Sequence, residues 1–137
     1  MPPLFAYGTL MCPDILQEVS GLALHGEPAV LHGFARYRVR GEHYPAIIPE
    51  DRGQVEGLLY APPDTGAWRR LDLFEGAMYV RSSVQVETPN STLYAAETYV
   101  LRPDYQGCLD NADWDFEHFM KTGKAAFADE YKGFTEL

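Results

Sequence analysis

Two stretches in the second half of the chain, residues 79–87 and 93–101, are rich in valine, tyrosine and leucine and predict β-strands. Thr88-Pro89-Asn90-Ser91 follows the first of them, and residues of these types are typical of a tight turn. The two strands are therefore expected to form an antiparallel hairpin. Because parallel strands need a crossover of a dozen or more residues, the hairpin excludes a fold built only from repeated βαβ units.

Four more strands are predicted earlier in the chain, at residues 4–7, 29–39, 44–48 and 55–60. Glu50-Asp51-Arg52-Gly53 lies between the last two and predicts a turn there. Pro45 favours an edge strand or a bulge, because proline cannot donate to the hydrogen-bond ladder. Gly57, in the middle of the last strand, predicts a close approach of a backbone or a ligand.

Two helices are predicted between these strands. The first begins near Pro13 and runs through about Val19, since proline suits the first turn of a helix. The second opens at Asp64, buries one apolar stripe and ends at Gly76, a residue that favours a left-handed cap.

The last third of the chain, residues 113–131, carries helical patterning that Gly123 is expected to interrupt. Strands and helices therefore alternate in neither a repeating βαβ order nor an all-β order. This order predicts an α+β fold.

The chain has 137 residues, with 11 Lys or Arg against 20 Asp or Glu, which gives a net charge of −9. Its length favours a single domain over residues 1–137. Nucleic acids and anionic membranes recruit proteins through Lys and Arg, so neither is expected as a partner. The sequence has no signal-peptide pattern and no apolar run of the about 20 residues that a membrane span needs. We therefore expect a cytoplasmic protein, with Cys12 and Cys108 as reduced thiols.

Cofactor and metal motifs are missing from the sequence. It contains no dinucleotide-binding or phosphate-binding glycine loop, no zinc-protease or calcium-loop pattern and no serine-hydrolase elbow. Its four histidines have no close metal-ligand spacing: His25, His32, His43 and His118. We expect no cofactor and no metal, which leaves a cofactor-free reaction or simple binding of a small molecule.

Glu75 is the strongest candidate for chemistry. It lies at the predicted C-terminal end of the second helix, near the apolar residues Phe74 and Met78. The negative end of the helix dipole and apolar surroundings both disfavour a carboxylate. The pKa of Glu75 is therefore expected to rise into the range useful for general acid–base catalysis; a solvated helix-end residue is the other interpretation. Arg81 is expected to pair with Glu75 or with Asp72, which lies at the surface or caps the helix.

The segment Tyr7-Gly8-Thr9-Leu10 follows the first strand and precedes the first helix. Successive backbone N–H groups in such a loop form an anion-binding concavity. An ordinary strand–loop–helix connection has the same pattern, so the loop alone leaves both interpretations open.

Taken in order, several segments resemble the gamma-glutamylcyclotransferase-like family, most nearly its gamma-glutamylamine cyclotransferase type. The segments are Tyr7-Gly8-Thr9-Leu10, Tyr44-Pro45-Ala46, residues 55–60, residues 71–76, and the pair Tyr79 and Arg81. The resemblance runs from about Leu4 to Tyr99. It implies a small mixed β-barrel flanked by helices, with a polar pocket at one side.

The resemblance also implies an activity and a set of site residues. Enzymes of this family release the gamma-glutamyl group of a small-molecule substrate as 5-oxoproline: the substrate's α-amine attacks its own γ-carbonyl and an amine leaves. The family's catalytic glutamate corresponds to Glu75, and its substrate-binding loop corresponds to Tyr7, Gly8, Thr9 and Leu10. A non-catalytic module that binds a small molecule in the same pocket is the alternative to an enzyme.

Five further residues have two interpretations each. Tyr44 and Tyr79 either line the pocket and donate hydroxyl groups or pack in the aromatic core. Arg36, Arg38 and Arg40 alternate along one predicted strand, where they either steer an anionic substrate or form a solvated face.

Overall fold

The structure, a computed structural model, describes residues 1–131. Its strands are β1 (Leu4–Ala6), β2 (Gly26–Arg38), β3 (Pro45–Tyr60), β4 (Tyr79–Glu87) and β5 (Leu93–Leu101). Its α-helices are α1 (Pro13–Ser20), α2 (Thr65–Glu75), α3 (Phe116–His118) and α4 (Lys124–Tyr131). A π-helical turn, Phe119–Gly123, joins α3 to α4, and short 3-10 turns cover Thr9–Met11 and Pro103–Cys108. Residues 132–137 of the predicted domain lie outside the described residues.

The strands close into a barrel in the order β1-β3-β2-β4-β5. β1 pairs in parallel with β5 through Leu4 and Glu97, whereas the other pairings around the barrel are antiparallel. The prediction of a mixed barrel flanked by helices is confirmed. The predicted hairpin of β4 and β5 is also confirmed, with Glu87 opposite Leu93 beside the turn.

Alternate residues of β1 contribute to two clusters of the hydrophobic core, as expected for a strand whose side chains point to opposite faces. Phe5 packs with side chains from the other strands. Leu4 and Ala6 pack in the cluster that also contains Leu16 of α1 and Leu71 of α2. Because all of β1 is buried, the loop that follows it is positioned against the core from the start.

Residues 45–60 form one strand, so the predicted turn at residues 50–53 is wrong. β3 pairs with β2 on both sides of this segment, with His32 opposite Gln54 and Phe34 opposite Pro49. Residues 50–53 therefore bulge out opposite Gly33 without reversing the chain. Arg52 takes a positive φ of 66° within the bulge, which explains why turn-forming residues occur there.

Two glycines bear directly on the shape of the barrel and of the loop after α2. A Cβ on Gly57 would lie 2.3 Å from the Ala6 carbonyl oxygen, so the predicted close approach of a backbone is confirmed. Gly76 has a positive φ of 78°, but its ψ of −164° lies outside the left-handed helical region. The predicted left-handed cap is therefore wrong in detail, although the need for a glycine remains.

The predicted start of α2 is confirmed, since the Asp64 side chain accepts a hydrogen bond from the Ala67 N–H at 2.8 Å.

The C-terminal helical segment begins at Phe116 and continues through Gly123, so the predicted interruption at this glycine is wrong. A Cβ on Gly123 would lie 3.0 Å from Nδ1 of His43, which shows that the glycine allows this segment to pack closely on the residues before β3. No helix within residues 1–131 is both long enough and apolar enough to cross a bilayer.

Candidate active site

A cavity of about 60 Å³ opens between the barrel, the end of α2 and the C-terminal helical segment. It is lined by Phe5, Ala6, Tyr7, Gly8, Thr9, Leu10, Tyr44, Pro45, Phe74, Glu75, Met78, Tyr79, Thr98, Tyr99 and Phe127. The seven site residues named from the sequence are all in this set. The structure therefore brings Tyr7, Gly8, Thr9, Leu10, Tyr44, Glu75 and Tyr79 together around one small space.

These residues lie at or next to the ends of strands and helices, which fixes their positions. Tyr7 and Gly8 follow β1, Tyr44 directly precedes β3, Glu75 is the last residue of α2, and Tyr79 is the first of β4. Gly8 is required by close packing, because a Cβ there would lie 2.8 Å from Cγ of Pro45. Side chains fixed at the ends of packed elements have little freedom to move, which suits a site that must hold a ligand in one geometry.

The carboxyl group of Glu75 has no hydrogen-bond or ion-pair partner among the side chains of residues 1–127. It lines the cavity, and burial raises its pKa to about 8. The neighbouring negative charge of Asp72, one helical turn earlier, raises the pKa further. The direction predicted from the sequence is confirmed, but the second cause is Asp72, to which the sequence assigned only a surface or capping role.

Asp72 is held by residues from two strands. The Tyr99 hydroxyl donates a hydrogen bond to Oδ1 of Asp72 at 2.7 Å. Arg81 Nε lies 3.5 Å from the same oxygen and 3.4 Å from Oε1 of Glu97, and its guanidinium stacks 4.5 Å from the centre of the Trp68 ring. Arg81 therefore pairs with Asp72, which resolves the choice that the sequence left open.

Two tyrosines of the cavity wall donate hydrogen bonds from their hydroxyl groups to backbone carbonyls of neighbouring strands. Tyr7 donates to the Tyr99 carbonyl at 2.6 Å, and Tyr79 donates to the Pro45 carbonyl at 2.8 Å. Burial, with a contribution from Glu75, raises the pKa of Tyr7 well above its ordinary value, so this phenol stays neutral. These hydrogen bonds connect β1 to β5 and β4 to β3 next to the site.

The loop after β1 presents polar backbone to the cavity. The N–H groups of Gly8, Thr9 and Leu10 find no acceptor among residues 1–127, whereas those of Met11 and Cys12 bond back to the carbonyls of Gly8 and Thr9. The start of a 3-10 turn leaves its first N–H groups available in this way. The sequence prediction of a loop with successive available donors fits this geometry.

The three arginines predicted from the alternating strand lie away from the cavity. Arg36 pairs with Asp113 at 2.8 Å, and Arg38 and Arg40 lie 3.5 and 3.4 Å from Asp110. Arg36 also donates to the Tyr7 carbonyl at 2.9 Å, so it supports the loop from outside. Neighbouring aspartates largely neutralise the cationic strand.

Sequence reasoning missed two parts of the wall. Tyr99 and Thr98 come from β5, and the hairpin register that pairs Glu87 with Leu93 also places Tyr99 opposite Arg81. That register was available from the predicted turn. Phe127 comes from α4, and no pattern in the sequence connects it to the site.

Comparison with known proteins gives the family. The family model described as gamma-glutamyl cyclotransferase, AIG2-like, matches residues 4–116. AIG2-like protein C of Arabidopsis thaliana is 34% identical over 138 residues, covering 97% of this chain and 77% of that protein. The solution structure of another Arabidopsis thaliana protein is 28% identical with a TM-score of 0.70, covering 98% of this chain and 82% of that one. A solved gamma-glutamyl cyclotransferase, at 16% identity and a TM-score of 0.66, covers 99% of this chain and 86% of that one and shares the fold. This chain belongs to the gamma-glutamyl cyclotransferase, AIG2-like family.

Proposed function

We propose that the protein is a gamma-glutamyl cyclotransferase, which converts a gamma-glutamyl amine, amino acid or peptide into 5-oxoproline and a free amine, with Glu75 as general acid and base. The carboxyl group of Glu75, which lines the cavity, has a pKa raised to about 8 and has no partner among the side chains of residues 1–127, carries the proposal. A carboxyl group held in a cavity without a partner costs folding free energy, so its presence there favours a chemical role. The family to which the chain belongs supports the type of reaction.

The proposed reaction moves two protons and needs no cofactor, because the substrate supplies its own nucleophile. The α-nitrogen enters as an ammonium group with three protons and ends as a lactam N–H with one. The new bond joins this nitrogen to the γ-carbonyl carbon, and the bond that breaks joins that carbon to the leaving nitrogen. Both protons pass to the leaving nitrogen, which departs as an ammonium ion. Glu75 is the carrier between the two nitrogens.

A carboxyl group whose pKa is about 8 suits this task. Close to neutral pH, both of its forms are populated, so the same group accepts a proton from the attacking nitrogen and returns it to the leaving one. An ordinary exposed glutamate, with a pKa near 4.5, is too weak a base for an ammonium proton.

The loop after β1 supplies the proposed contacts to the rest of the substrate. Backbone N–H groups of residues 8–10 are suited to the α-carboxylate of the glutamyl group or to the oxyanion that develops on the γ-carbonyl. Tyr44 and Tyr79 are proposed to contact the glutamyl chain from the other side. Holding the chain folded brings the amine and the carbonyl together, and ring closure of this kind has a large effective molarity.

The test is release of 5-oxoproline from a panel of gamma-glutamyl amines, amino acids and peptides, followed by mass spectrometry. We expect Glu75→Gln to lower kcat/KM by ~100- to 10,000-fold, the usual contribution of a general acid–base group. Glu18→Gln, the same change at an exposed position on α1, is the matched control and should keep wild-type activity.

Two results would contradict the proposal. Near-normal activity of Glu75→Gln would remove Glu75 from the chemistry. Binding of a gamma-glutamyl compound by the wild type, detected by calorimetry without any 5-oxoproline, would instead establish the non-catalytic binding module.

A further inference from the structure

A groove of about 850 Å³ lies on the outer face of the barrel, apart from the cavity that contains Glu75. Its lining comes from β2 and β3, from the end of β4 with the turn that follows it, and from residues 113–117. In the described part of the chain, the residues that line the groove and those that line the cavity have no member in common. The proposed reaction therefore gives this groove no role.

Three side chains form a row across the groove. Glu56 of β3 is paired with Val30 of β2, and Val30 is paired with Glu87 of β4. Residues paired in this way project from the same face of a sheet. That face is the outer one, because Ala29 and Leu31, on either side of Val30, pack in the core. The row therefore presents one apolar side chain between two carboxyl groups.

The order of the strands sets the separation of these two carboxyl groups. Neighbouring strands lie ~4.8 Å apart, so Glu56 and Glu87, with β2 between their strands, project from backbone positions ~10 Å apart. Same-face residues of a bound β-strand would lie ~6.8 Å apart. In a polyproline II helix, residues i and i+3 share a face and lie ~9.3 Å apart. Two cationic side chains three residues apart in such a helix therefore match the row.

The charge of the groove also selects a cationic ligand. Five of the described residues that line it are acidic: Glu56, Glu87, Asp113, Asp115 and Glu117. They outnumber Arg36, a basic residue of the lining, whose Nε donates to Oδ1 of Asp113 at 2.8 Å. Oε1 of Glu87 also contacts Nε2 of His32 at 3.1 Å, and a carboxylate has the capacity to accept from a further donor. Arginine side chains of a ligand would form charge-assisted hydrogen bonds with such carboxylates.

Apolar residues supply much of the remaining lining. They are Met11, Pro28, Ala29, Val30, Pro89, Trp114 and Phe116. The rings of Trp114 and Phe116 lie 5.9 Å apart, and Nε1 of Trp114 donates to the His43 carbonyl at 2.9 Å, which fixes the indole. Grooves lined by aromatic side chains recognise proline-rich segments, because a polyproline II helix is already formed before binding and loses little entropy.

We propose that this groove docks a proline-rich segment of a partner protein in the polyproline II conformation, with arginines at positions i and i+3 that pair with Glu56 and Glu87. The prolines between the arginines pack against the apolar lining. A second copy of this chain would be repelled, because the chain has a net charge of −9. Docking is independent of the proposed reaction, so either one stands without the other.

Binding of short peptides to the wild-type protein tests the spacing. The probe is fluorescein-labelled Gly-Arg-Pro-Pro-Arg-Pro-Gly. The matched control, Gly-Pro-Arg-Arg-Pro-Pro-Gly, has the same composition with its arginines adjacent. We expect fluorescence anisotropy to give ~5-fold tighter binding of the probe, the order of one exposed ion pair. Equal affinities would show general attraction between opposite charges and would overturn the proposal.

Removal of the two carboxylates tests the site. Glu56→Gln/Glu87→Gln should weaken binding of the probe by ~5-fold for each charge removed. Glu18→Gln/Glu50→Gln makes the same change in charge at exposed positions outside the groove and should bind the probe as the wild type does. An unchanged affinity in the folded Glu56→Gln/Glu87→Gln protein, or an equal loss in both double variants, would contradict the assignment.

Two further measurements distinguish other occupants. Spermidine, a linear triamine, could displace the labelled probe at the same concentration as the unlabelled peptide or at a lower one, and the groove would then belong to a small polyamine. Sedimentation equilibrium could show a dimer that Glu56→Gln/Glu87→Gln abolishes, and the occupant would then be a second copy. Either result would overturn the proposal. Weaker displacement by spermidine, with a monomeric protein, would support a partner segment.

Discussion

Two carboxyl side chains in the last turn of α2 lie in opposite surroundings. Asp72 is largely exposed and accepts contacts from Tyr99 at 2.7 Å and Arg81 at 3.5 Å. Glu75 lies three residues later, lines the cavity and has no partner among the side chains of residues 1–127. The helix gives both residues the same backbone and the same dipole, so the difference comes from β4 and β5, which provide partners at one position and leave the other without any. Different environments for two neighbouring acids are how proteins assign them different roles.

The largest expected effect of this difference is on stability. Because the pKa of Glu75 is about 8 when folded and near its ordinary value of 4.5 when unfolded, the native state binds more protons between these pH values. Stability therefore falls as the pH rises from about 4.5 to about 8, by up to about 1.4 kcal/mol per pH unit. We expect Glu75→Gln to be more stable than the wild type at pH 8, by on the order of a few kcal/mol, in urea unfolding measurements.

Asp72→Asn is the control for the stability measurement, because Asp72 contacts Tyr99 and Arg81 whereas Glu75 lines the cavity. It removes the contacts with Tyr99 and Arg81 but also relieves the repulsion on Glu75, so any gain in stability at pH 8 should be much smaller than that of Glu75→Gln. If both variants gained equal stability, the two acids would not differ in the way that the structure indicates.

The next effect concerns the electrostatic influence of Asp72 on Glu75. Asp72→Asn removes a negative charge one turn away, so the pKa of Glu75 should fall, on the order of one pH unit or less. The acid limb of kcat/KM against pH should move down by the same amount. A ¹³C NMR titration of the Glu75 carboxyl group measures the shift without reference to activity, and an unchanged titration would show that burial alone sets this pKa.

The smallest effect, of opposite sign, is expected from Arg81→Met. This change removes the cation that offsets Asp72, so the pKa of Glu75 should rise by a fraction of a unit. The same NMR titration measures it. Arg40→Met is the control, because it removes an arginine that is paired with Asp110 away from the cavity, and it should leave the titration of Glu75 unchanged. A lower pKa of Glu75 in Arg81→Met would contradict the pairing of Arg81 with Asp72.

The sequence predicted the parts of the structure that depend on local pattern. The β4–β5 hairpin follows from alternating side chains and a turn, and α2 follows from its apolar stripe, its Asp64 cap and Gly76. The raised pKa of Glu75 was predictable from its position between a helix end and apolar neighbours. Only the family resemblance predicted that the seven site residues lie together around one cavity.

The remaining features depend on contacts between distant residues. Turn-type residues at positions 50–53 form a bulge because β2 continues to pair with β3 on both sides of it. Gly123 lies within a continuous helical segment and packs against His43, which is 80 positions earlier in the chain. Phe127 enters the site through packing of the same segment. None of these partners is close enough in sequence to be read from a local pattern.

Barrel closure through β1 has a consequence for the order in which the molecule is assembled. β1 is the first strand to be synthesised, yet its partners are Leu58–Tyr60 on one side and Glu97 on the other. Contacts of such long sequence separation form late, because their loops must be closed first. The loop at residues 7–10 is therefore fixed only when the barrel itself closes. A growing chain released before β5 would contain the loop and Glu75 but would hold them in no defined relation, so the candidate site is assembled in the same step as the complete fold.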